Sequence, residues 1–313
     1  MTASPPLAGH RALFVSWIAH HARSEALADA LGAECAFVSV GTLRNRRTTP
    51  FRHAWQAVLT LLLLARRRPE VLIVMAPPFP LVLLGLVWKR LTGCTLIADC
   101  HSGAVIGRPM SARLAAHADL VIVTLPQLSA GFRRAVAVHD PLITIAPAPR
   151  HSEVVFPASW ETDEPTAELF RAAASMPDVS FAITGRAPAG LAVPGNVRLA
   201  GFLSRSDYLA LLAGAPLVMA LTTGEDTMQQ AGYEAVAAGR PVVASNTSAL
   251  RSYFGDAAVY ADPTEESLAW AVREALQRLP ELEAAIVDVR DRERAEFDRA
   301  IAEIGQIVKE ARS

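Results

Sequence analysis

The stretch LTTGEDTMQQAGYEAVAAGRPVVAS, residues 221–245, decides the fold. It follows an apolar run, Leu217 to Leu221, of strand length, so the polar residues Thr222 to Asp226 read as a loop at the carboxyl end of a strand. Residues 227–238 are rich in small side chains and predict a helix, with Asp226 or Thr227 as the N-cap that accepts a hydrogen bond from an orphan N–H of the first turn. Gly239 marks the stop, Pro241 blocks continuation, and Val242-Val243-Ala244 reads as a second buried strand. A helix over these residues sets Asp226, Gln230 and Glu234 on one face at i, i+4 and i+8. Its first turn presents free N–H groups and a positive dipole end, which suits a phosphate. For a lone capped helix an ordinary surface Glu is the simpler reading. Here the preceding strand places the loop where open α/β sheets bind ligands.

Working outward, strands are predicted at 153–157, 179–184, 197–201, 217–221 and 242–245, with helices at 206–212 and 264–279. In the first half, strands are predicted at 11–16, 35–40, 71–76, 95–98, 119–124 and 142–146, with helices at 20–32, 54–66 and 81–91. This alternation implies parallel sheets, and Pro147-Ala148-Pro149-Arg150 reads as the linker between two of them. The expected division is 1–149, 150–290, and a closing helix over 291–313. Its stripe Phe297, Ile301, Ile304, Val308 would pack back on the first domain.

The 313 residues suffice for two domains, and 51% hydrophobic content means large cores. Cys35, Cys94 and Cys100 form neither a disulfide framework nor a metal cluster, which fits a reducing cytosol. The amino-terminal residues lack a basic-then-apolar leader, so a cytoplasmic location is expected. Residues 1–150 hold 16 Lys and Arg against 7 Asp and Glu, net +9, while the remainder is net −10. An anionic partner for the first half is implied, or simple drift of surface charge. The basic loop 44–53 precedes the apolar segment 54–66, which ends in three arginines. That segment is too short to span a bilayer. It reads mainly as a buried helix, with its Arg-rich edge, and peripherally the whole protein, on the anionic inner face of a membrane. No nucleic-acid partner is expected.

The central stretch resembles the donor-site signature of the retaining group 1 (family 4) glycosyltransferases: an acidic residue, seven residues, Glu, then Ala-Met-Ala-x-Gly-x-Pro-Val. Here it reads Asp226, seven residues, Glu234, then Ala-Val-Ala-Ala-Gly-Arg-Pro-Val. The resemblance implies the GT-B fold, an α/β architecture of two Rossmann-like domains facing a central cleft. It implies Glu234 on the donor ribose and Asp226 or Glu225 on the sugar, with Asp one methylene shorter than the usual Glu. Gly185, Arg186, Gly201, Phe202, Thr223, Thr227 and Gln230 would complete the nucleotide site. The family's Arg and Lys clamp after the first strand of this domain is missing from FPASWETDEPTAEL. Ser159, the helix N-terminus, and Arg186 or Arg150 would have to replace it. In the family the donor phosphate itself takes the acceptor proton, with retention.

Glycosyl transfer needs a neutralised diphosphate, aligned reactants and, for inversion, a base. Asp99 and His101 end a central strand and are the base candidates. His20, His21 and Arg23, at a strand-to-helix loop, are acceptor-binding candidates, although each singly also suits a polar helix start. Pro77-Pro78, Asp99-x-His101 and Ser159-Trp160 are similar, over short stretches, to the transferases that mannosylate lipid-linked chitobiose. That likeness would imply inversion, a UDP- or GDP-linked donor and a lipid-diphosphate acceptor. No Asp-x-Asp motif occurs, so no metal or other cofactor is expected. The leading expectation is a hexosyltransferase acting on a lipid-linked or polysaccharide acceptor. The alternative is an inactive homologue that binds a nucleotide sugar or supports a partner subunit.

Overall fold

A computed structural model describes residues 4–41, 49–106 and 109–312. Residues 44–48 of the basic loop lie outside the described residues. The chain forms two compact units, Met1–Pro141 together with Ala295–Ser313, and Leu142–Arg294.

The first unit is built on six parallel strands, β1 (Ala12–Ser16), β2 (Glu34–Phe37), β3 (Val71–Ala76), β4 (Thr95–Cys100), β5 (Leu120–Val123) and β6 (Ala135–Ala137). Their order is β2-β1-β3-β4-β5-β6. Every residue of β1, β3 and β4 is buried, as strands covered on both faces require. Alternate side chains feed two cores. Phe14, Ile73, Ile97 and Ile122 face one side with Leu27 and Leu31 of helix α1 (Ala22–Leu31). Leu13, Leu72, Val74 and Leu96 face the other, with Leu64 of α2 (Thr49–Arg67) and Leu81 of α3 (Phe79–Thr92). Two short helices follow β4, α4 (Ser102–Val105) and α5 (Pro109–Ala115). No strand forms at 142–146. Pro141 lacks the N–H that would enter a ladder, the last strand is β6, and Leu142 packs in the second unit's core. Nor is α2 a buried helix. It buries Gln56, Thr60 and Leu64, and leaves much of its apolar surface exposed.

The second unit repeats the plan with β7 (Val154–Phe156), α6 (Thr166–Ala174), β8 (Phe181–Thr184), β9 (Val197–Gly201), α7 (Arg205–Gly214), β10 (Val218–Ala220), α8 (Gln230–Ala238), β11 (Val242–Ser245), α9 (Ser248–Phe254), β12 (Ala258–Ala261) and α10 (Glu265–Gln277). All strands are parallel, in the order β12-β11-β10-β7-β8-β9. Counted from β7 this is the doubly wound order 3-2-1-4-5-6, with its reversal between β7 and β10. The final helix α11 runs from Leu279 to Arg312. Its Leu282 and Ile286 are buried in the second unit, and its Ile301, Ile304 and Val308 are buried in the first unit's core, with Phe297 packed against it.

Candidate functional site

In the second unit a cavity of about 470 Å3 opens beyond the carboxyl ends of β7, β8 and β9. It is lined by Ser159 and Gly185 from the strand ends, Phe202 and Arg205 after β9, Tyr208 on α7, and Gln230 and Glu234 on α8. Glu234 is only 2% exposed. Its Oε1 accepts from Arg205 Nη1 at 3.1 Å, and its Oε2 accepts from the Tyr208 hydroxyl. Burial, and then the Glu234 charge, push the Tyr208 phenol far above its ordinary value, so it remains a donor. The carboxylate is thus fixed by two donors and set at the cavity wall.

Gly185 is required where it stands. Its φ is +87°, and a Cβ would lie 2.2 Å from the Ala158 carbonyl oxygen. The loop after β7 is held by one carboxylate. Glu164 Oε1 accepts from the Ser159 N–H (2.9 Å) and hydroxyl (2.7 Å), and Oε2 from the Trp160 N–H (2.8 Å). Ser159 therefore lines the cavity with its hydroxyl proton already given to Glu164, which corrects the expectation that it replaces a cation.

The helix starts at Gln230, three residues later than expected, and Gln229 precedes it without a side-chain cap. Residues 222–227 instead make a tight turn. The Thr227 N–H donates to the Gly224 carbonyl at 3.2 Å, and Thr222 Oγ1 accepts from the Gly224 N–H at 3.1 Å. Glu225 is drawn away to the start of α9, where it accepts from the Ser248 N–H (2.9 Å) and hydroxyl (2.8 Å). These bonds also hold its carboxyl below the usual range. Asp226 is therefore not on the helix face, and only Gln230 and Glu234 remain of the predicted row. Thr223, Glu225, Asp226 and Thr227 lie off the cavity lining, as do Gly201 and Arg186, whose guanidinium stacks 5.0 Å from the Phe202 ring centroid. Arg150 is engaged by Glu283 at 2.7 Å.

The cation that the sequence reading missed is Arg205. It is the first residue of α7, a helix capped by Ser204, whose hydroxyl accepts from the Asp207 N–H. The Ser204-x-x-Asp207 pattern directly after a strand would have announced a helix start at the sheet's carboxyl end, with an Arg at its mouth.

In the first unit, β4 delivers Asp99, and a second cluster surrounds it. Asp99 is fully buried, and its Oδ1 accepts from Arg23 Nη2 at 3.2 Å. Arg23 also donates to Asp140 (2.8 Å) and to the Val138 carbonyl (2.9 Å). Burial alone would raise the Asp99 carboxyl, but the Arg23 charge overrides it and holds Asp99 well below the carboxylate range. The Arg23 guanidinium is buried and held by Asp99, Asp140 and the Val138 carbonyl, which speaks against the expected acceptor contact. Asp99 Oδ2 faces His101 Nε2 at 3.5 Å, and neither atom has a hydrogen-bond partner among the described residues. His21 caps α1, accepting from the Ser24 N–H, and its ring lies edge-on to His101 with centroids 4.8 Å apart. Burial, then the neighbouring His101, lower the His21 pKa. His20 is exposed and pairs with Glu25 at 3.2 Å. The structure thus brings His21, His101 and Asp99 together and leaves His20 outside.

Residues 165–278 match the family model described as "Glycosyl transferases group 1". No match was found among curated proteins. Sucrose-phosphate synthase from Thermosynechococcus elongatus superposes with a TM-score of 0.75 at 15% identity, covering 96% of this chain and 98% of that one. HepE of Anabaena, in complex with UDP-glucose, gives 0.69 at 13% identity over 96% and 98%. A glycosyltransferase from Rickettsia africae gives 0.68 at 12% over 96% and 98%. The second unit thus resembles the group 1 glycosyltransferases in sequence, and the chain has the fold of two Rossmann-like domains known as GT-B.

Proposed function

We propose that this chain, similar to the group 1 glycosyltransferases, moves a hexose from a nucleotide-diphosphate sugar to a lipid-linked or polysaccharide acceptor at the cytoplasmic face of a membrane. The observation that carries the reading is the buried Glu234 carboxylate on the wall of a cavity beyond a doubly wound sheet, with Arg205 beside it. A carboxylate in that setting accepts the two ribose hydroxyls. Arg205, whose side chain is 58% exposed, can turn from Glu234 to the diphosphate and neutralise the leaving group. With that cation supplied by the chain itself, no metal is needed. In the first unit Asp99 would hold the His101 Nε2–H tautomer, leaving Nδ1 to take the acceptor proton. His21 would stand beside it against the acceptor.

Thermal shift with UDP, GDP and their common sugars tests this, and UDP is the first probe because HepE was crystallised with UDP-glucose. Stabilisation by one nucleotide, lost in Glu234→Ala, is the expected result. No shift with any nucleotide would reject the reading. A second reading, an inactive nucleotide-sugar binder, is favoured by Glu225 being tied to Ser248 and Asp226 standing off the cavity. Binding without hydrolysis or transfer over a broad acceptor panel would select it.

A further inference from the structure

Helix α2 is amphipathic in the inverted sense. The side chains it buries include Gln56 and Thr60, and the ones it offers to water include Phe51 (80% exposed), Trp55 (55%), Val58 and Leu62 (63%). The polar face is anchored. Gln56 Nε2 donates to the carbonyls of Trp17 (3.1 Å) and Val38 (2.7 Å), and Thr60 Oγ1 accepts from Trp17 Nε1 at 2.9 Å. The exposed residues fall at i, i+4, i+7 and i+11, a single stripe along the helix. Helix α3, which packs against α2, does the same at i, i+4, i+8 and i+12 with Phe79, Leu83, Val87 and Leu91, the last 74% exposed. Single exposed apolar residues are ordinary, but two aligned stripes on neighbouring helices are a patch that folding does not explain.

Charge identifies the occupant. Neither helix contains an Asp or a Glu. Both end in cations: Arg66 and Arg67, followed by Arg68, on α2, and Lys89 and Arg90 on α3; of these Arg67 is paired with Glu34 and Lys89 with Asp119, each at 2.7 Å. Arg66 and Arg90 enter no ion pair among the described residues. A second copy of the same face would set Arg66 and Arg90 against like charge, since the acids at these helix ends, Glu34 and Asp119, are already engaged by Arg67 and Lys89. An anionic bilayer offers acyl chains for the stripes and headgroups for the helix ends. No helix among the described residues is long and apolar enough to cross a membrane, so the contact is one that lies on the surface.

We infer that the α2–α3 face is a docking surface for an anionic lipid bilayer, entered by Phe51, Trp55 and Leu62 on one helix and by Leu83 and Leu91 on the other. This extends the proposed function by naming where the lipid meets the protein, and its observations are independent of the donor cavity. The test is flotation of the full chain with vesicles of phosphatidylcholine alone and with equal parts phosphatidylcholine and phosphatidylglycerol. The wild type should float with the anionic vesicles and much less with the neutral ones. Trp55→Glu with Leu62→Glu, and separately Leu83→Glu with Leu91→Glu, should each weaken binding by about tenfold or more, since each pair removes two inserted apolar chains. All four positions are exposed, so thermal unfolding and the UDP-induced shift should be unchanged in both variants. Arg66→Gln with Arg90→Gln should narrow the difference between the two vesicle types. Failure of the wild type to float, or flotation of the glutamate variants at wild-type strength, overturns the inference. So does a wild-type dimer that Trp55→Glu with Leu62→Glu dissolves while no vesicle binds. Loss of the UDP shift with flotation intact would instead strike only the donor reading.

Discussion

Replacing Glu234 by Gln isolates the charge on which the proposed donor site turns. The amide keeps an acceptor for the Tyr208 hydroxyl, so the half-buried phenol is not orphaned and the fold should be kept. The pair with Arg205 contributes little to stability, because the Arg side chain is 58% exposed and such pairs give about 0–1 kcal/mol. Ribose binding is different. A hydrogen bond to a charged acceptor is stronger than one to a neutral acceptor, and loss of the charge should cost about 1.5–3 kcal/mol, or roughly 10- to 150-fold in Kd. A compensating effect acts on the diphosphate: Arg205, released from Glu234, becomes freer to meet it. Uridine should therefore lose more affinity than UDP. Isothermal titration of both ligands against wild type and Glu234→Gln measures the two losses, with thermal unfolding as the fold control. Wild-type UDP and uridine affinities in a folded Glu234→Gln protein would refute the assignment of this carboxylate to the ribose.

Arg205→Ala should lower UDP affinity about tenfold while leaving uridine unchanged, since only the diphosphate loses a partner; equal losses for both ligands in the same titration would count against that role. His101→Ala should cut turnover by about 10² or more with donor affinity kept, read as kcat against Kd. Asp99→Asn leaves the buried Arg23 with Asp140 as its remaining carboxylate partner and should cost about 1.5–3 kcal/mol in urea unfolding at neutral pH. Because the folded Asp99 carboxyl sits below its unfolded value near 4, its contribution is present above that value and is lost as pH falls through the folded one. The gap between wild type and Asp99→Asn should therefore shrink on acidification below about pH 4. Gly185→Ala should destabilise by about 1–3 kcal/mol, since positive φ and the Ala158 carbonyl both exclude a Cβ.

The parallel-sheet architecture was legible because it rests on strong local signals. The strands over 71–76, 197–201 and 242–245 are legible at their observed bounds, the first and last as compact apolar runs and VRLAG by its closing Gly201. Helix α9 and strand β12 were not read. Seven residues, Ser248–Phe254, are too few for periodicity to register, and AVYA is too short to distinguish from a turn. The inverted face of α2 was illegible for a deeper reason. Periodicity says that a helix has an apolar side, and burial there is inferred from the rule that apolar sides go inward. Gln56 and Thr60 break the rule through partners on Trp17 and Val38, which are distant in sequence.

The proposed donor site divides along the same line. Glu234 was found because its helix, its glycine stop and its strand fall within one continuous stretch. The turn at 222–227 was misread because Asp226 and Thr227 are good caps by residue type, and type alone cannot register that Ser248 takes Glu225 and pulls the segment out of helical geometry. The missing clamp shows how the error propagates. A search for a cation after β7, where the family resemblance puts it, finds only Glu161, Asp163 and Glu164 beside Ser159 and Trp160, and Glu164 is spent on holding that loop. In the proposed donor site the cation is Arg205, which reaches the cavity from α7. The doubly wound order sets the ends of β7, β8 and β9 side by side, so a residue after β9 reaches the same cavity as one after β7. Adjacent carboxyl ends make such positions exchangeable in space although they lie some 45 residues apart in sequence. A loss read at one motif position therefore becomes evidence of lost function only after the neighbouring strand ends have been searched for its replacement.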